Sequence, residues 1–232
     1  MVINEMDRES RKKLFLEVDI YPVTCERLSA GRSDLEVLKE VIKGGARIIQ
    51  LREKHYSKRK LYYQALRFRE ITSRAGVLLI INDHLDIALA VGADGVHLGQ
   101  EDLPIGVARK LAPELLIGAS THSLEQALQA QRDGADYVNI GPIFHTTTKE
   151  KAGQALGPET IEGISLHLEI PFTVMGGIKE SNLEEVLARG ARRVAMVTAI
   201  TQAKDIAGTV ARLRERIKKY QVVRSSTGTP NP

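Results

Sequence analysis

Seven times along this 232-residue chain, an apolar, mostly β-branched run stops abruptly in a cluster of polar or glycine residues. The runs read IIQLREK, LLIIND, DGVHLGQED, LLIGASTH, YVNIGPIFHTTTK, TVMGGI and VAMVTAI. A short run that is apolar throughout fits a strand of a parallel sheet, because helices cover both faces of such a sheet. Helical stretches fill the gaps between the runs, so each polar cluster falls where a strand ends. The phrase helix, Gly-Ala, strand recurs in GGARIIQ, VGADGVHL, DGADYVNI and RGARRVAM. It reads as a repeated βα unit in which glycine ends the helix and alanine lets the turn pack closely. About eight such units in one chain of this length favour an α/β fold of the single-domain (β/α)8 TIM-barrel type over an open doubly wound sheet. In that barrel all strand ends meet at one rim, which is where chemistry sits.

The pattern predicts a first strand over 15–23 and later strands over 47–51, 77–81, 94–97, 115–119, 137–140, 172–175 and 193–197. The clearest helices are expected at 34–43, 58–75 and 205–220. Residues 1–13 read as an N-terminal extension, 14–220 as the barrel domain, and 221–232 as a polar, disordered tail ending in SSTGTPNP. The longest connection, 141–157, is bracketed by two Gly-Pro pairs and has the length of a functional lid.

Several classes of function are disfavoured. A net charge of +4 with no dense Lys/Arg block is too mild for nucleic acid. No run approaches transmembrane length, and MVINEMDRES lacks the apolar core of a signal peptide. The single cysteine, Cys25, permits neither an internal disulfide nor a CxxC metal site, which points to a reducing, cytoplasmic setting with Cys25 as a small packed residue. No His-rich spacing suggests zinc. The basic residues in the strand-end clusters suggest a small anionic ligand instead, and a homodimer is compatible with all of this.

Strand alternation puts Gln50, Arg52 and Lys54 on one side of the second strand. Cations pointing into a barrel mouth need an anion, and arginine offers a fork suited to phosphate; a structural Arg–Glu network is the alternative. Asp83, after Asn82 on the third strand, and Asp102, after the fourth, can share a Mg²⁺ ion or cap the helices that follow. Thr146, Thr148 and Lys149 lie on the long loop, where they could close over phosphate. Gly176-Gly177 and Val197-Thr198 end the seventh and eighth strands, where TIM barrels recurrently bind phosphate through backbone N–H groups. Ser120 reads equally as a ligand contact or a helix cap. His122 is a candidate acid or base. His97 reads as a packed histidine and His84 as a solvated rim residue.

Taken together, QLREK, IND, GVHLGQED, ASTHS, GPIFHTTTK, GGI and VTAI resemble, in order, the motifs of the thiamine phosphate synthase family. The resemblance runs from about the first strand to the last helix. It implies a TIM barrel that joins hydroxymethylpyrimidine diphosphate to (carboxy)hydroxyethylthiazole phosphate, with Mg²⁺, releasing diphosphate and thiamine phosphate. It implies that Gln50, Arg52, Lys54, Asn82 and Lys149 hold the pyrimidine diphosphate, and that Asp83 and Asp102 bind Mg²⁺. Ser120 would contact the pyrimidine or its departing oxygen. Thr146, Thr148, Gly177, Val197 and Thr198 would cradle the thiazole phosphate. The implied mechanism is dissociative, with Arg52, Lys54, Ser120 and Lys149 at the chemistry. Two positions depart from the family pattern: His84 stands where arginine is common, and Thr198 where serine is common. A thiazole tautomerase of the same superfamily, with His122 as proton shuttle, and a non-catalytic ligand-binding barrel are the alternatives.

Overall fold

The computed structural model describes residues 6–146, 148 and 154–226, with backbone alone for 223–226. Eight strands, β1 (Ile20–Pro22), β2 (Ile48–Leu51), β3 (Leu78–Asn82), β4 (Gly95–Leu98), β5 (Leu116–Thr121), β6 (Tyr137–Ile140), β7 (Phe172–Val174) and β8 (Val194–Met196), pair in parallel with β1 beside β8. The Val23–Gln50 bridge, with Thr24 N–H donating to the Gln50 carbonyl at 2.9 Å, joins β1 to β2 and closes the barrel.

The pleat sorts the core into two shells. Tyr21, Ile48, Leu78, Ile80, Leu116, Tyr137 and Ala195 fill the barrel interior. Their sequence neighbours Ile20, Ile49, Leu79, Ile81, Ile117, Val138 and Val194 pack outward against the helices. Burial on both sides is why these strands read as continuous apolar runs. Cys25 is buried in the inner cluster, as a small packed residue.

The helices α2 (Asp34–Lys43) and α3 (Lys58–Ala75) begin and end where the sequence places them. A Ser33–Glu36 capping box starts the first, and Ser57 caps the second. Between strands follow α4 (Leu85–Ala90), α5 (Ile105–Leu111), α6 (Leu124–Arg132), α7 (Glu159–Ser165) and α8 (Leu183–Ala188). After β8 come the short α9 (Thr198–Thr201) and α10 (Ile206–Ser226). Among the described residues no helix is long and apolar enough to cross a membrane.

Three boundaries differ from the sequence expectation. The stretch read as the start of the first strand is instead the end of α1 (Arg8–Leu16), so residues 8–13 of the stretch set aside as an extension form a helix that packs on the barrel. Asp7 caps this helix, which lies across the N-terminal ends of the strands. Arg8 pairs with Asp136 at 2.8 Å, Arg11 donates to the Glu114 carbonyl at 2.9 Å, and Arg193 donates to the Leu16 carbonyl at 2.8 Å. Phe15 plugs the barrel floor, stacked on Tyr137 with ring centroids 4.3 Å apart. Its burial contributes about 2 kcal/mol. An apolar run alone does not distinguish a strand from such a plug. At the other end, α10 continues through residues 221–226, part of the stretch assigned to a tail. The third difference is α9, too short to show a period.

Candidate active site

At the C-terminal ends of the strands one cavity gathers most of the expected residues: Gln50, Arg52, Asn82, Ser120, His122, Thr146, Thr148, Gly176, Gly177, Val197 and Thr198. Alternation along β2 brings Gln50 and Arg52 inward, as the sequence implied. Gln50 is buried and its amide donates to the Tyr21 hydroxyl at 3.0 Å. Arg52 is half-buried, and among the described residues its guanidinium forms no ion pair; its backbone N–H is held by Thr24 Oγ1 at 3.0 Å. The Arg–Glu network considered for Arg52 does not form, because Glu53 turns away and accepts from Glu26 N–H at 2.7 Å. Glu53 lies beside Asp34, both of whose carboxylate oxygens are buried without a donor. A proton must sit between two such facing acids. Burial, followed by the charges of Glu53 and Glu26, pushes the Asp34 carboxyl up to about 8.

Lys54 lies on the rim rather than in the cavity lining, ion-paired with Asp83. Asp83 takes a left-handed backbone (φ 61°), its N–H donating to the His97 carbonyl at 2.8 Å. Asp102 lies alongside, one carboxylate oxygen accepting from Gly99 N–H at 2.6 Å. Neither aspartate caps a helix: α4 follows His84 and α5 follows Pro104, neither with a side-chain cap. Burial raises the Asp83 carboxyl above the usual range and the neighbouring Asp102 adds to this, while Lys54 opposes it. Two carboxylates held together under mutual repulsion suit a hard divalent cation. Mg²⁺ takes one or two such ligands and completes its shell with water and phosphate. Among the described residues no group of three or more His, Cys, Asp or Glu could hold a metal alone.

The opposite half of the mouth is built from backbone. Gly177 has φ 62°, and a β-carbon there would fall 2.5 Å from the His145 carbonyl oxygen. The tight turn therefore serves a close approach between the loops after β6 and β7, sealed by Phe144 N–H to the Gly176 carbonyl at 2.9 Å. Val197 and Thr198 open α9 at the cavity edge. Thr146 and Thr148 bond to each other through their hydroxyls at 3.1 Å. Lys149 lies outside the described residues.

Ser120 is not a helix cap. Ser123 caps α6, and Ser120 sits in β5 with its hydroxyl 2.9 Å from His97 Nε2. His122 lines the cavity and bonds through Nδ1 to the Gly141 carbonyl. His84 is half-buried and not part of the lining. The sequence reading missed His97, Asn139, Met175 and Lys179 as lining residues. Asn139 carried a signal: a polar residue inside the buried run YVNI has to bond to something, and it accepts from Thr173 Oγ1 at 2.8 Å.

Known proteins resemble this chain in sequence and in fold. The family model of thiamine monophosphate synthase matches residues 20–200. The thiamine-phosphate synthase of Dictyoglomus thermophilum is 48% identical over 202 residues, 87% of this chain and 91% of that protein. That of Caldicellulosiruptor saccharolyticus is 44% identical over 217 residues, 93% of this chain and 98% of that protein. The solved thiamine phosphate pyrophosphorylase from Pyrococcus furiosus superposes with a TM-score of 0.81 at 37% identity, covering 91% of this chain and 98% of the other.

Proposed function

The chain belongs to the thiamine monophosphate synthase family, and from that premise we propose how its mouth divides the work of the reaction. The activity is transfer of a pyrimidinylmethyl group: hydroxymethylpyrimidine diphosphate and a thiazole phosphate combine to thiamine phosphate, and diphosphate leaves.

The carrying observation is that one cavity joins Gln50, Arg52, Asn82 and Ser120 to Thr146, Thr148, Gly177, Val197 and Thr198. The reaction needs two phosphorylated substrates side by side, and this lining supports both. Arg52, with Lys54 at the rim and Lys149 from the loop, holds the diphosphate. These cations stabilise the negative charge that grows as it departs. Gln50 and Asn82 orient the pyrimidine, and Ser120 faces the departing oxygen. The threonines with the backbone of Gly177, Val197 and Thr198 hold the thiazole phosphate, which brings the ring nitrogen to the methylene carbon. No protein nucleophile is needed, so positioning and electrostatics carry the rate.

Asp83 and Asp102 would hold Mg²⁺, which would supply positive charge against the leaving diphosphate. The pairing of these two acids at the rim supports this assignment. A thiazole tautomerase would leave Arg52, Asp83 and Asp102 without a task. The test is direct: purified protein, both substrates and Mg²⁺ are combined, and thiamine phosphate is measured. Its formation, with loss on chelation, is the expected result. Tautomerase activity without synthase activity would overturn the reading.

A further inference from the structure

Beneath the cavity a hydrogen-bonded path crosses the barrel. Gln50 Nε2 donates to the Tyr21 hydroxyl at 3.0 Å, and Tyr21 meets the Tyr137 hydroxyl at 2.9 Å. Tyr137 meets His97 Nδ1 at 3.2 Å, and His97 Nε2 meets Ser120 Oγ at 2.9 Å. All five residues are buried. The space for this path is kept by Gly118, where a β-carbon would fall 2.1 Å from the Tyr137 ring and 2.6 Å from His97 Nδ1.

Each hydroxyl has one proton, so the path has a direction. An amide N–H donating to Tyr21 leaves the Tyr21 proton for Tyr137, and the Tyr137 proton for His97 Nδ1. A neutral imidazole that accepts at Nδ1 carries its proton on Nε2 and donates it to Ser120. The Ser120 proton is then left for the cavity. The carbonyl of Ser120 is already taken by the Gln100 amide at 2.6 Å. Burial raises both phenols above their ordinary range, which keeps them protonated. A reversed Gln50 amide would invert every bond and turn the Ser120 proton inward.

We propose that Tyr21, Tyr137 and His97 are positioning residues that fix His97 as the Nε2–H tautomer and aim the Ser120 hydroxyl as a donor at the departing oxygen. This rests on the reading that Ser120 faces the chemistry.

Two measurements test it. Nitrogen NMR of labelled protein should show His97 as the Nε2–H tautomer, and Tyr137→Phe should lose that single form; an Nδ1–H tautomer or an imidazolium in the wild type overturns the direction. Kinetically, Tyr137→Phe keeps the ring stacked on Phe15 and should lower kcat about tenfold, the scale of one hydrogen bond, with both KM values unchanged. In a Ser120→Ala background the same change should have no further effect. An equal loss in both backgrounds would make the role merely structural and overturn the proposal. An unimpaired Ser120→Ala would instead remove the reading of Ser120 itself, and the role of the path with it. Tyr21→Phe breaks the path at its other tyrosine and should repeat the result if Tyr137→Phe folds poorly.

Discussion

The floor and the mouth of this barrel both carry charged residues at strand ends, and they treat them in opposite ways. At the floor each strand-start aspartate is closed off by arginine and backbone. Asp94 accepts from Arg69 at 2.6 Å and Leu79 N–H at 2.8 Å. Asp136 is held by Arg8, Arg109 and the Ile117 N–H. Asp19 accepts from Arg214 at 2.9 Å and Ile20 N–H at 2.7 Å. At the mouth, Arg52 lacks an ion pair among the described residues, Asp83 is shared between Lys54 and a repelling Asp102, and the buried partner of Asp34 is another acid. Charge that is satisfied internally stabilises the fold; charge held unsatisfied is available to a ligand. The two ends therefore differ in what a substitution should damage.

The largest effect is expected at the floor. Asp94→Ala leaves buried Arg11 and half-buried Arg69 without their carboxylate and should destabilise by about 3–5 kcal/mol. Urea unfolding measures this, and turnover per folded molecule should be unchanged; a specific loss of turnover would break the contrast. Next, Asp102→Ala at the mouth should lower Mg²⁺-dependent kcat/KM about a hundredfold while the midpoint of unfolding stays put. Unchanged kinetics would remove the metal role. Gly177→Ala combines a left-handed backbone with the crowding at His145. It should raise KM for the thiazole phosphate about tenfold and leave KM for the pyrimidine diphosphate alone; the reverse split would reassign that half of the mouth.

The last effect concerns pH. Asp34 carries a folded-state pKa of about 8 against an ordinary 3.8. The folded protein thus keeps a proton that the unfolded chain gives up, and stability should fall as pH rises from about 4 to about 8. Asp34→Asn should flatten that slope, which denaturation at pH 5 and pH 9 would reveal. A slope that survives the substitution would place the titration elsewhere.

Much of the barrel was legible because each signal was local. Ser33 with Glu36, and Gly76 after α3, mark helix ends within a few residues. Gln50 and Arg52 follow from the period of a strand. What escaped was long-range. His97 reads as packing until Tyr137, forty positions away in the chain, is brought to its ring nitrogen. Phe15 reads as strand because an apolar residue looks the same in a strand and in a plug. The Asp34–Glu53 pair joins the first residue of α2 to the loop after β2, which no periodicity connects. Lys179 stands beyond the end of its strand, where alternation no longer says which way a side chain turns. The Gly-Ala phrases spoke only for the fold, and the aspartates that follow in two of them, Asp94 and Asp136, are anchored at the floor.

The plug formed by α1 has a consequence for the order of assembly. Its anchors at Glu114, Asp136 and Arg193 lie 103 to 178 positions downstream. Helix α1 is therefore expected to dock late, because its anchors can be met only after the long intervening stretch of chain has closed into the barrel. Pulse-labelled hydrogen exchange during refolding should protect β2 to β5 before α1. Phe15 covers the buried Tyr137 from below, so a barrel in which α1 had not yet docked would have its strands paired and its floor still open to water.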